Sequence, residues 1–529
     1  MGNVVSSKRQ NHINRLRDLS SESVFENSKI GLEKECLRVS PEGSIAQTPH
    51  PYSLGSALTN PSITTDYSES LLEFITPPLD HISDALSYLT DIQKFVYSKL
   101  DNEILWATSM PCVIPGETSI PLAQYGQSNA GTMKTVYRRG LGLRYGNVMQ
   151  VIAGVHFNYS YPDKFWLAYE QIEQSNKTGQ AFVADSYFAI LRNLQRYGWL
   201  IPLLFGASPA VCKSFLDGQP TRLKSFNENT YYEPYATSLR MGDIGYTNKK
   251  EGETGVRVCY DNLEKYTDSL GKAIETDSPE YKKFGLIKDN VYQQLNTNIL
   301  QIENEYYSTV RPKQVLDRFE KPIHALKRRG VQYIELRSLD VNAYDPLGIN
   351  ENQLRWLEVF MLFCLLQDSH YISNEERSEI DNNLMLVAHQ GRNPELKLSR
   401  ERKQVKLSEW ASEIMENMQG VAEILDSNHA TKKYSDVLNV YSEVVKYPDM
   451  TPSAIMLQDM SDNHEGFFHF ASRMSHQHQQ YFSSLPEDKE LFDKLEKLSV
   501  SSHAEQLKIE EAETLSFTEY LNNYFKQQF

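Results

Sequence analysis

No phosphate-cradling GxxxxGK[ST] loop, no nucleophile elbow and no CxxC pair occurs anywhere in this chain. Those absences exclude a P-loop NTPase, an α/β-hydrolase and a thiolate zinc site. Cysteine is scarce: the five residues Cys36, Cys112, Cys212, Cys259 and Cys364 are widely scattered among 529. An odd, sparse set reads as reduced thiols in a cytoplasm, not a disulfide framework. The longest clean apolar run, residues 359–366, is far too short to cross a bilayer, and residues 1–25 lack the apolar core of a signal peptide. A soluble, cytoplasmic protein without a membrane partner is expected. Positive charge is also short: the net charge is −15. That argues against nucleic acid as a partner, because phosphate backbones need dense Lys and Arg.

What remains is globular, with 40% hydrophobic and 23% charged residues. From Asp80, a candidate N-cap, Ile82, Leu86, Leu89, Val96 and Leu100 recur at helical spacing. A second helix is expected over 181–199, ending near Pro202, and Asn350 with Gln353 forms a capping box before an apolar helix at 354–366. Five segments between these read as strands: GLEKECLRV (31–39), ESLLEFITPP (69–78), GVHFNYS (154–160), NILQIENEYY (298–307) and VQYIELRSLD (331–340). Their long, irregular separations favour an antiparallel or mixed sheet over a βαβ series. The expected division is a polar, helical extension over 1–29, an α+β catalytic part over 30–350, and a helical part over 351–529 packed on it. The last part shows no recognisable site.

The strands carry carboxylates where apolar residues are usual. Residues i and i+2 of a strand share a face, so Glu33 and Glu35 project together, away from Leu32 and Cys36. Glu73 shares a face with Leu71 and Ile75, with Asp66 just upstream. His156 pairs with Asn158, and Glu335 with Arg337. Taken singly, each is ordinary: an E-x-E is more often a solvated face, a strand His is usually a hydrogen-bonded core residue, and Glu335 with Arg337 makes a simple ion pair. Together on one face they are costly, since two carboxylates ~4 Å apart at an effective dielectric of ~20 repel by about 4 kcal/mol. Divalent cations or bound protons must offset that repulsion. Oxygen ligands with one imidazole suit Mg²⁺ or Mn²⁺.

Read in order, GLEKECLRV, ITTDYSESLLEFITP, LAQYGQSNAG, TVYRRGLGLRYG, GVHFNYS, PYATSLRMGDIGYTN, LQIENEYY and YIELRSLDVN resemble the proteobacterial glutamate–cysteine ligases. The resemblance runs from about Ile30 to Asn342; beyond it only length and helical character agree. It implies a glutamine-synthetase-like curved antiparallel sheet forming an active-site cup surrounded by helices, with a helical C-terminal part. It implies Glu33, Glu35, Asp66, Glu73, His156 and Glu335 as ligands of Mg²⁺, with Mn²⁺ as the alternative. Arg337 then meets the phosphate or the reacting carboxylate, with Arg138 as a second catalytic cation. Tyr137, Gln150, Arg240, Tyr246 and Tyr307 resemble the cysteine-site residues, and Tyr67 stands where the family has Phe.

The implied reaction joins the γ-carboxylate of L-glutamate to the amino group of L-cysteine. ATP is co-substrate, the intermediate is γ-glutamyl phosphate, and the products are γ-glutamylcysteine, ADP and phosphate. This is the first step of glutathione synthesis, and no further ATP-binding domain is expected after residue 350. A monomer or small homo-oligomer is expected. A ligase for another amine would keep the acidic set and change the pocket around Tyr137, Arg240 and Tyr246. A catalytically dead scaffold has no reason to keep both the acids and Arg337.

Overall fold

The computed structural model describes residues 14, 16, 17, 24–111, 113–245, 257–317, 319–486 and 488–527. Its centre is an antiparallel sheet in an α+β fold. The strands are β1 (Lys29–Val39), β2 (Ile63–Thr65), β3 (Leu71–Ile75), β4 (Ile104–Leu105), β5 (Val155–Ser160), β6 (Val310–Lys313) and β7 (Tyr333–Leu339). Their spatial order is β6-β7-β5-β1-β3-β2, with β4 paired to the far end of β1. Neighbours in the sheet are thus remote in sequence, so register decides what meets what. Glu33 lies opposite His156, Glu35 opposite Glu73, and Glu335 opposite both Asn158 and Arg311. One face of the sheet therefore collects the acids, the imidazole and several cations.

The other face carries Leu32, Cys36, Leu72, Phe74, Val155, Phe157, Ile334 and Leu336, all 2% exposed or less. These residues belong to one continuous apolar cluster that runs into the C-terminal helices. Helix α1 (Ile82–Lys99) packs against β1 and β3 on this side. Helices α2 (Asn129–Tyr145) and α3 (Gly179–Tyr197) follow in the chain. Helix α4 (Glu351–Leu366) packs against α3 and α1 and is buried nearly all round, as an apolar helix must be. Its start is the expected capping box, with Asn350 and Gln353 each accepting from the other's backbone N–H.

Two expectations need correction. Asp80 does not cap α1: the N-cap is His81, without a side-chain bond, while Asp80 pairs with Lys29 at 2.6 Å. The 298–307 segment is not a strand but a turn around a 3₁₀ helix, Glu303–Glu305. There Glu305 Oε2 accepts from Gln301 N (2.8 Å), and Glu305 Oε1 accepts from Arg144 Nη1 (2.8 Å). Local side-chain bonds to backbone replace a ladder in that segment. The missing edge strand is instead β6, whose Pro312 is tolerated because β6 lies at the sheet edge. Among the described residues, no helix is long and apolar enough to cross a membrane.

Candidate active site

A cavity of about 430 Å³ opens on the acidic face of the sheet. Glu33, Glu35, Asp66, Tyr67, Glu73, Tyr137, Arg138, Gln150, His156, Arg240, Tyr307, Glu335 and Arg337 all line it. Every site residue expected from sequence is thus gathered there except Tyr246, which lies outside the described residues.

The acids are not equivalent. His156 Nδ1 donates to Glu33 Oε2 (2.9 Å), and Asn158 Nδ2 donates to Glu33 Oε1 (2.9 Å). Burial raises the Glu33 pKa and Glu335 adds repulsion, yet the His156 hydrogen bond and charge win, so Glu33 is held below the usual carboxylate range. Glu335 is 1% exposed. Burial opposes its ionisation, but Lys313 (Nζ at 3.2 Å), Arg337 (Nη1 at 3.0 Å), His156 and Arg311 pull it below the ordinary value. Glu35 and Glu73 go the other way. Burial raises Glu35, with Asp66 adding to the rise, and Gly154 N donates to its Oε2 (2.6 Å). Glu73, half-buried on the cavity wall, is pushed well above the normal range by burial and by Glu33, Asp66 and Glu35, and Arg138 does not offset this. Of these four carboxylates, Glu33 and Glu335 are thus held below the ordinary range by their partners, while Glu35 and Glu73 are pushed above it because burial outweighs the nearby positive charge.

That imbalance is what a cation would correct. Ligand atoms of Glu33, Glu73 and His156 all lie within 4.8 Å of one another. Glu335 Oε2 is buried and accepts no hydrogen bond among the described residues. An oxygen-rich group with one imidazole and an unsatisfied carboxylate oxygen fits a hard divalent ion. Asp66 stands apart at the margin. Its side chain is 44% exposed, Arg138 Nη2 lies 3.9 Å from Oδ1, and Arg138 Nε donates to its backbone oxygen.

Around this group the wall is cationic. Arg138 projects from α2 over the Tyr125 ring at 4.6 Å. Arg240, 2% exposed, donates from Nη2 to Arg337 O (2.9 Å) and so braces the strand that carries Arg337. A Cβ on Gly154 would strike the Arg240 guanidinium, so glycine is needed there. Tyr307 Oη donates to Gln150 Oε1 (2.7 Å), and Tyr67 Oη donates to Asn147 Oδ1 (2.5 Å).

Sequence reasoning missed Lys134, Asn304, Arg311, Lys313 and Tyr520, which also line the cavity. Arg311 and Lys313 come from β6, the strand hidden by its proline. The alternation Arg311-x-Lys313 toward the acidic face was the available signal. Lys134 is four residues before Arg138 on α2, so the two share a helix face. Tyr520 lies in the helical part expected to carry no site, and nothing in its local sequence marks it.

A cleft that sets paired acids against a ring of cations is suited to holding polyanions, phosphate above all, through a bound metal. The chain belongs to the glutamate–cysteine ligase family, whose model matches residues 13–387. A glutamate–cysteine ligase of Alcanivorax borkumensis is 45% identical, covering 98% of this chain and 99% of that protein. One from Pseudomonas fluorescens is 46% identical over 95% of this chain and 94% of its own length. Among solved structures, the Francisella tularensis glutamate–cysteine ligase, in complex with AMP, is 36% identical. It superposes with a TM-score of 0.88, covering 94% of this chain and 98% of that one. A bifunctional glutathione synthetase from Pasteurella multocida shares the fold at 24% identity and a TM-score of 0.71, this chain spanning 58% of its length.

Proposed function

We propose that this chain catalyses ATP-dependent ligation of the γ-carboxylate of glutamate to the amino group of cysteine, through γ-glutamyl phosphate. The observation that carries the reading is the convergence of Glu33, Glu73 and His156 in a cavity that also holds Arg138, Arg311, Lys313 and Arg337. Membership of the family and the AMP complex of the Francisella relative support glutamate, cysteine and an adenine nucleotide as its ligands.

A carboxylate is a poor electrophile, because oxide would have to leave. Phosphorylation makes inorganic phosphate the leaving group, and the protein's part is then positioning and charge neutralisation. Glu33, Glu73 and His156, with Glu335 and Glu35 beside them and Asp66 at the margin, would hold Mg²⁺ or Mn²⁺. Bound there, a divalent ion supplies charge neutralisation at the phosphate oxygens. Arg337 and Arg311, on adjacent strands, present guanidinium groups to the transferring phosphoryl group, with Lys313 beside them. Arg138 adds a further cation from α2. Arg240 serves the carboxylate of the acceptor amino acid. Tyr137, Gln150, Tyr307, Tyr67 and Tyr246 complete the acceptor pocket.

The test is phosphate release from ATP with glutamate and a panel of amines, the product being weighed by mass spectrometry. Cysteine should give one γ-glutamyl dipeptide per phosphate. Equal turnover with a simple alkylamine would remove the acceptor assignment, and no phosphate release with any amine would remove the ligase reading.

A further inference from the structure

From the docking of helix α5 (Phe517–Phe525) over α2, we infer that Tyr520 forms part of the pocket for the acceptor amino acid. The inference rests on the ligase reading above and makes the extreme C-terminal helix a wall of the active site.

The C-terminal segment is fixed to α2 by bonds that leave little room for it elsewhere. Asn129, the first residue of α2, gives its backbone N–H to Glu513 Oε2 (2.7 Å) and its side-chain amide to Leu515 O (2.9 Å). Gln127 N donates to Glu510 Oε1 (2.8 Å). Two carboxylates from the chain's end thus sit at the start of α2, where N–H groups lack helical partners and the helix dipole favours negative charge. Farther along, Leu521 is 5% exposed in a cluster with Met133, Val136 and Leu295. Thr518 Oγ1 bonds Tyr292 Oη (2.7 Å), and Lys321 Nζ donates to Phe525 O (3.1 Å). Tyr520 packs edge-on against Phe319 at 5.7 Å and joins the same cluster as Tyr137, Met133 and Ile302.

The cavity therefore has two kinds of wall. The sheet offers acids and the cations Arg311, Lys313 and Arg337. The helical wall offers Ala130, Met133, Tyr137 and Tyr520, with Lys134 at its exposed edge and Arg138, on the same helix, turned toward Asp66. Glutamate brings two carboxylates and ATP a polyphosphate, so both are served by the charged wall. The acceptor alone among the two amino acids has an uncharged side chain, and an aromatic, weakly polar wall suits it. Adenine is the other uncharged group in the reaction, and the ATP arm below separates it.

The experiment compares steady-state kinetics of full-length wild type, Tyr520→Ala, Tyr520→Phe and Tyr524→Ala. Tyr524 packs in the same cluster but does not line the cavity, so it controls for loosening of α5. Tyr520→Ala should raise KM for cysteine by about tenfold, with KM for glutamate and ATP and the kcat little changed. Tyr520→Phe should restore most of the loss, and Tyr524→Ala should lower the melting temperature without moving KM for cysteine. An unchanged KM for cysteine in Tyr520→Ala overturns the inference. So does an equal rise for ATP or glutamate, or an equal effect in Tyr524→Ala. Wild type that fails to ligate cysteine sinks the ligase reading and takes this inference with it, whereas an active wild type beside an unaffected Tyr520→Ala sinks this inference alone.

Discussion

The two faces of the central sheet obey opposite rules although they alternate residue by residue. Within β1, Glu33 and Glu35 face the cavity, while Leu32, Lys34 and Cys36 face the core. On the core face even a charged residue is admitted only with partners. Lys34 is 2% exposed, and its Nζ donates to Gln93 Oε1 (2.7 Å) and Pro346 O (3.1 Å). Burial lowers its pKa. On the cavity face the reverse holds, and Glu73 and Glu35 are left short of compensating charge. One face supplies the stability that lets the other keep mutually repelling groups in place, a trade between stability and function within a single strand.

The sharpest way to break this comparison is inside the acid set. Glu73→Gln should lower kcat by on the order of 10³-fold, with a melting temperature equal to or above wild type, because the carboxyl removed is one already pushed toward neutrality. Glu335→Gln should lose as much activity and also melt earlier, since Lys313 and Arg337 lose a buried partner. Paired turnover and melting measurements check both. Earlier melting of Glu73→Gln by as much as Glu335→Gln would erase the distinction between compensated and uncompensated acids.

On the core face, Phe157→Ala empties a fully buried site and should cost about 3–5 kcal/mol in denaturant unfolding. KM values of the folded fraction should stay within about twofold of wild type. A selective rise in one KM would show that the core face tunes the site.

Glu358, buried in α4, accepts from Tyr434 Oη (2.8 Å), and burial pushes its carboxyl up to about 7 from 4.5. The folded state therefore binds a proton that the unfolded chain has already released. Its contribution to stability is present below about pH 4.5 and is lost as pH rises toward 7. Glu358→Gln should flatten that decline, by on the order of 3 kcal/mol at most, with no effect on turnover. An unaltered stability profile from pH 5 to 8 would refute the assignment. Smallest of all, Lys34→Met leaves Gln93 Oε1 and Pro346 O without their donor and should cost about 1 kcal/mol, again with turnover intact. A large loss of activity would mean that charge behind the sheet is felt at the site.

Much of this was legible in sequence because strand parity is a local property. Glu33, Glu35, Glu73, His156 and Glu335 each announce a face within three residues, and the structure places all of those faces together. The capping box at Asn350 was legible for the same reason. What was not legible is whatever depends on partners far along the chain. Glu303 and Glu305 look like strand residues until Arg144, some 160 positions earlier, claims Glu305. The β6 strand, with Arg311 and Lys313, hides behind Pro312, whose tolerance depends on sheet order. Tyr520 reaches the cavity only because Glu510, Glu513 and Leu515 tie the chain's end to α2.

We propose that Glu33, Glu73 and His156, from three separate strands, act with Glu335 beside them as one receptor for a divalent ion. Titration of Mn²⁺ into wild type and Glu73→Gln, with free Mn²⁺ followed by electron paramagnetic resonance, tests it most directly. Wild type should bind Mn²⁺ saturably and Glu73→Gln at least about tenfold more weakly, whereas equal affinity in the two proteins would rule out a shared site.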